Sequence, residues 1–185
     1  MNWSIPYTVR IGDTEYAIRN RCDYRVVLDV LNVLNDDDLE IQHRIGCALF
    51  IFYGDAINDC DDPTKAYDEM MKIINGGEPE ASSGANKPRL MDWEHDFKYI
   101  APPISRILGY DVRDPDRFTH WNTFLGAYME MGECVFATIV SIRSKRAKGK
   151  KLEKWEEEFY KEHVKDIILP QKITADEQAI LDSQW

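Results

Sequence analysis

The stretch MDWEHDFKYIAPPISRILGYDVRDPDRFTHWNTFLGAYMEMGECVFATIVSIR, Met91 to Arg143, decides the fold of this chain. Trp93, Phe97, Ile100, Ile104, Ile107 and Leu108 advance by fours and threes, the spacing that lays side chains along one stripe of a helix. Gly109 closes that stripe. Phe118, Trp121, Leu125 and Tyr128 repeat the advance up to Gly132, and Val135, Phe136, Ile139, Val140 and Ile142 form a third, broader stripe. Three amphipathic segments joined by short links cannot bury their apolar faces separately, so the spacing predicts that they pack on one another as an antiparallel helical core. Asp92 reads as the cap of the first of them, and Asp114-Pro115 as the cap and first position of the second. Pro102-Pro103 removes two backbone donors inside the apolar pattern, which predicts a kink or break there, with Pro102 opening a new segment.

Outward from that stretch the chain is read as follows. On the N-terminal side, Tyr7, Val9 and Ile11 alternate with polar residues, Gly12-Asp13 supplies a turn, and Tyr16 and Ile18 alternate beyond it, which is the signature of a hairpin. Asp23 caps a short helix carrying Val26, Val27, Val30, Leu31 and Leu34. The acidic run Asp36-Asp37-Asp38 precedes a second helix with Leu39, Ile41, Ile45, Leu49 and Phe52, where negative charge suits the helix N-terminus. Asp62-Pro63 starts a third, stopped by Gly76-Gly77. The loop aspartates Asp59, Asp61 and Asp62 lack the glycine and glutamate positions of a calcium-binding loop, so they are read as turn and cap residues. On the C-terminal side, Leu152, Trp155, Phe159 and Ile167 describe one more helix, ended by Pro170. The fold class is therefore mainly α, a helical bundle with a small N-terminal β-hairpin. Its organisation reads as residues 1–75 (hairpin plus helices), a linker over 76–89 rich in Gly, Ser, Pro and Glu, a helical core region over 90–169, and a tail over 170–185 with a short helical pattern at Asp176 to Leu181, all in one compact unit.

Composition narrows the function. The chain has 185 residues, 44% hydrophobic and 30% charged, enough to bury a core without metals or disulfides. Its four cysteines, Cys22, Cys47, Cys60 and Cys134, show no paired spacing and are read as reduced thiols. No signal peptide and no membrane-length apolar run are visible. A formal net charge of -10 argues against general nucleic-acid binding. One basic block interrupts the acidity, from Arg143 through Lys145, Arg146, Lys148, Lys150 and Lys151 to Lys154. Its plain reading is a solvated helix end.

Asp92, His95, Asp96, Asp111, Asp114, Asp116 and His120 form a set that could resemble an active site. Facing carboxylates and histidines on helices could hold a divalent ion, as in a metal-dependent phosphohydrolase, and that stands as an alternative, beside a nucleic-acid-linked phage regulator using the basic block. Capping accounts for Asp92 and Asp114, however, and the motifs of zinc proteases, serine hydrolases and nucleotide hydrolases are missing. The expectation is a protein that is not an enzyme and needs no cofactor or metal.

The same residues carry a resemblance. Met91-Asp92-Trp93-Glu94-His95-Asp96, Ile100 through Gly109-Tyr110-Asp111, His120-Trp121 with Phe124, and Cys134-Val135-Phe136 leading to Ile139 and Ile142-Arg143 resemble, in order, the motif series of small siphophage tail proteins encoded between the major tail protein and the tape measure protein. Asp23-Tyr24-Arg25 and Gly149 to Trp155 agree as well. The chain departs from that family in Pro102-Pro103 and in having one Trp where a Trp-Trp pair is frequent. The resemblance implies a tail assembly chaperone in the host cytoplasm, without catalysis, that binds the tape measure protein, keeps it soluble and assists tail tube assembly. The tail tube protein and further copies of the chain are additional candidate partners; nucleic acid and membrane are not expected. Partner helices would present anchors to an apolar groove, and the aromatics that could receive them are Trp93, Phe97, Trp121, Phe124, Tyr128 and Trp155.

Overall fold

The computed structural model describes residues 4–77 and 88–170. Most of the expected linker and the helical pattern at Asp176 to Leu181 lie outside the described residues. The architecture is mainly α, with eight α-helices and a two-stranded hairpin among the described residues. They gather into two compact units. The first holds residues 4–77 with Phe118–Leu125, and the second 88–117 with 126–170.

In the first unit, β1 (Thr8–Ile11) pairs antiparallel with β2 (Thr14–Ala17), with Val9 opposite Tyr16 and Ile11 opposite Thr14. Gly12, at φ 59, makes the two-residue turn possible, because a side chain there would be strained. Alternation turns Val9, Ile11, Tyr16 and Ile18 inward, and all four are buried. Asp23 caps α1 (Tyr24–Leu34) by accepting from the Arg25 amide. Val26, Val27 and Val30 form its buried face, so core packing overrides their modest helix propensity. The acidic run lies before α2 (Ile41–Tyr53), where Asp36 accepts from the Asp38 amide and Asp37 pairs with Arg44 at 2.9 Å. Asp62 and Pro63 open α3 (Pro63–Ile74) as expected, Asp62 accepting from the Lys65 amide.

The second unit is built on α4 (Trp93–Leu108), capped by Asp92 through the His95 amide at 2.7 Å. The expected break at Pro102-Pro103 does not occur, and Pro102 opens no new segment: α4 runs through both prolines. Proline's fixed φ is itself helical, and the local penalty of two missing donors is opposed by burial of Ile100, Ala101, Pro103 and Ile104 around it. Gly109, left-handed at φ 77, stops the helix by donating its N–H to Ser105.

A second expectation is also corrected. Asp114-Pro115 opens a turn, with Asp114 accepting from the Asp116 amide, and no helix begins until α5 (Trp121–Met129). The chain before Trp121 is claimed by another interaction. The Thr119 amide donates to Asp23, the Tyr24 amide donates to the Thr119 carbonyl, and Asp23 and His120 form an extended bridge. These bonds hold Thr119 and His120 out of helical geometry.

In α6 (Val135–Ala147), Phe136, Ile139, Ile142 and Arg143 are buried. The single C-terminal helix expected from Leu152 to Ile167 is two, α7 (Lys154–Glu162) and α8 (Val164–Ile167), interrupted at His163. Ile139, Ile142 and Ile167 form a buried cluster flanked by Tyr99, Leu152, Phe159 and Tyr160.

Candidate functional site

The acid and histidine set is the natural place to look for chemistry, and the structure gives its members separate work, Asp116 excepted, which contributes only its backbone amide to the Asp114 turn. In the second unit Asp92 caps α4 and pairs with Arg89. Asp96, in the first turn of α4, is fully enclosed and grips Arg143 of α6 through both oxygens, at 2.6 and 2.8 Å. Arg143 also donates to the carbonyls of Leu90, Ile167 and Asp166, so the guanidinium is the knot tying α4, α6 and α8. His95 hydrogen-bonds the Asp166 carbonyl at 3.1 Å. The Asp166 carboxylate is held below its ordinary pKa, first by the Lys98 ammonium 2.5 Å away. Asp111 accepts a forked contact from Arg113, whose hydrogen bonds lower its pKa to about 2. Among the described residues no three His, Cys, Asp or Glu side chains come together as a metal could use them.

His120, in the first unit, is a structural histidine. Its Nε2 hydrogen-bonds the Pro6 carbonyl at 3.0 Å and its Nδ1 accepts from the Asn122 amide, which fixes the neutral tautomer with the proton on Nε2. Burial lowers its pKa below the ordinary value, although the Pro6 carbonyl opposes this. The unfolded chain therefore takes up this proton before the folded one does. The contribution of His120 to stability should be level above about pH 6.5 and fall as the pH drops from there to the depressed folded pKa, below which the loss is complete. Urea titrations at stepped pH should show that decline, and His120→Gln should flatten it. An unchanged pH dependence would refute the assignment.

The six aromatics expected to meet a partner divide by their surroundings. Trp121 and Phe124 are enclosed, at 2% and 0% exposure, and belong to the core of the first unit. Trp121 donates its indole N–H to the Ile74 carbonyl at 2.9 Å, and Phe124 stacks on Tyr24 with centroids 4.4 Å apart. Neither offers a surface in this conformation. Trp93, Phe97 and Tyr128 of the second unit are half-buried, Trp93 against Tyr128 at 5.2 Å and the Tyr128 hydroxyl toward the Met91 sulfur. Trp155 stands out at 56% exposure on the first turn of α7.

Other apolar side chains, outside those six, also face outward. Met129 and Val135 do so in the second unit, and Ile41 and Phe50 on α2 in the first. Their periodic positions match those of core residues, so only the packing of neighbours distinguishes them. The first unit also displays Tyr7 and Phe118 with the Arg21 guanidinium over both rings, at 5.0 and 5.2 Å. Asn20, Arg21 and Cys22 there share positive φ values of 47, 57 and 61, a strained run for residues with side chains. A cleft of about 520 Å³ lies beside that run, with Val26, Val33 and Ile51 among its walls and Arg19, Asn32 and Asp29 among its polar groups. Burial raises the Asp29 pKa.

The arrangement is thus a helical scaffold whose buried ionisable groups are tied into it by hydrogen bonds and ion pairs and whose outward apolar groups are large. The sequence profile of a family described as Bacteriophage Gp15 protein matches residues 1–168. The chain belongs to that bacteriophage protein family. Searches of curated proteins and of solved structures return no match. No helix among the described residues is long and apolar enough to cross a membrane.

Proposed function

We propose that this protein is a tail assembly chaperone of a siphophage, acting in the host cytoplasm by binding the tape measure protein, keeping it soluble and assisting assembly of the tail tube. The observation that carries this reading is the outward placement of large apolar side chains on a helical scaffold, with Met129 at 72%, Ile41 at 62% and Trp155 at 56% exposure. Exposed apolar groups on a phage protein suit an amphipathic partner. A tape measure protein is long and helical, and until the tube encloses it its apolar faces are open to aggregation. The motif series from Met91 to Arg143 and membership of a bacteriophage family support the same reading. The acidic balance of the chain keeps the free chaperone soluble.

The test is co-expression. Fragments of the tape measure protein from the same phage should stay in the supernatant with this chain present and pellet without it. Pelleting in both conditions would refute the proposal.

A further inference from the structure

The basic block at the end of α6 is sorted by the fold into cations that are used and cations that are not. Lys145 donates to both oxygens of Glu156 at 2.7 Å, joining α6 to α7, and Arg146 lies 4.2 Å over the Tyr160 ring. Arg143 is committed to Asp96. Lys148, Lys150, Lys151 and Lys154 are exposed and make no ion pair among the described residues.

Their display is built. Gly149, left-handed at φ 64, lets its own N–H reach the Arg146 carbonyl and the Lys150 N–H reach the Lys145 carbonyl at 2.8 Å, the paired closure that fixes a helix end. On the other side of the turn a capping box between Glu153 and Glu156 sets the start of α7, on whose first turn Trp155 is exposed. Those two bonds, with the Lys145 pair, engage the nearest carboxylates. Glu157 and Glu158 lie just beyond Trp155 on α7. An exposed indole at the start of α7, following a turn that carries cations without ion pairs, is a surface suited to an apolar anchor flanked by negative charge.

From this juxtaposition we infer that the turn from Lys148 to Trp155 docks a short acidic amphipathic helix of a partner protein, its carboxylates on the lysines and an apolar side chain on Trp155. This rests on the reading above that the protein receives a helical partner, and names the chemistry of one segment of it. Charge complementarity selects a short segment. Seven of the chain's 23 cationic residues fall between Arg143 and Lys154, while the whole chain carries -10. A long polyanion or an anionic membrane extending past the patch would meet the acidic remainder, whereas a helix a few turns long meets only the patch.

The test is fluorescence anisotropy with the full chain and a labelled helical peptide bearing Glu and Leu on one face. Binding should weaken steeply with salt and fall by roughly tenfold or more when Lys148→Glu, Lys150→Glu and Lys151→Glu are combined, and by a comparable factor in Trp155→Ala. Lys161→Glu, elsewhere on α7, should leave it unchanged. All these side chains are exposed, and circular dichroism would check that each variant folds. Absence of binding, indifference to charge reversal, equal binding of a Lys-for-Glu peptide, or tighter binding of single-stranded oligothymidylate or phosphatidylserine vesicles would each overturn the inference. So would salt-sensitive self-association lost in the same variants, which would place the acids on a second copy. Charge-reversed protein that still solubilises tape measure fragments as well as the native chain would count against this docking site and leave the chaperone reading standing. Peptide binding that follows the predicted pattern would support the site even if co-expression failed.

Discussion

Replacing Arg143 with methionine should destabilise the second unit by about 3–5 kcal/mol, the range for removing one partner of a buried ion pair. The magnitude follows from what is left behind. Asp96 has no exposed surface, so without the guanidinium its carboxylate would keep, among the described residues, only the Asp92 amide 2.9 Å away as a hydrogen-bond donor. The carbonyls of Leu90 and Ile167 lose their donor in the same step, and that of Asp166 keeps only His95. Arg143→Lys should recover part of the loss, since an ammonium keeps the charge but cannot reproduce the planar fork. The double variant Asp96→Asn with Arg143→Met should cost less than the sum of its single changes, because neither charge is then stranded. Urea unfolding followed by hydrogen exchange at α4, α6 and α8 would read this locally, which matters in a chain of two compact units. A loss under about 1 kcal/mol for Arg143→Met, the scale of an exposed pair, would show that the knot is open in solution.

The second unit also shows how much the sequence could disclose. The apolar stripes of α4 and α6, the cap at Asp92 and the stop at Gly109 are local facts, written at fixed spacing, and they are legible. So are the hairpin around Gly12 and the starts at Asp23 and Asp62. What could not be read depended on how the chain packs in three dimensions. Pro102-Pro103 looks like a break until Ile100 and Ile104 are known to be buried on either side. Asp114-Pro115 looks like a helix start until the backbone of Thr119 is seen bonded to Asp23 and Tyr24, about a hundred positions earlier. Arg143 reads as the first member of a basic block, yet it is an interior ligand of Asp96. Periodicity says that a side chain faces somewhere; it does not say whether that place is filled. This is why six aromatics with equal claims in the sequence end in three different surroundings.

That last difference has a measurable consequence, which Trp121 and Trp155 display most clearly. Trp121→Ala should destabilise the first unit by about 3–5 kcal/mol, as removal of a large enclosed ring does. The indole stacks on Phe124 at 5.7 Å and Phe124 on Tyr24, so the cavity would open beside a ring stack that braces α1. Its N–H also serves the carbonyl of Ile74, the last residue of α3, where helix geometry leaves carbonyls without partners. Trp121→Phe keeps most of the ring and should cost less, with about 1–3 kcal/mol of it from that unpaired carbonyl. Trp155→Ala, on an exposed position, should change stability by no more than about 0.5 kcal/mol. In partner binding the order should reverse: Trp155→Ala weakens it while the fold is intact, and Trp121→Ala weakens it only to the extent that the first unit unfolds. Denaturation and binding measured on the same two variants decide the matter. Were Trp121→Ala to leave stability unchanged and abolish binding, the indole would be a contact residue after all, and the enclosed ring stack would not describe the protein in solution.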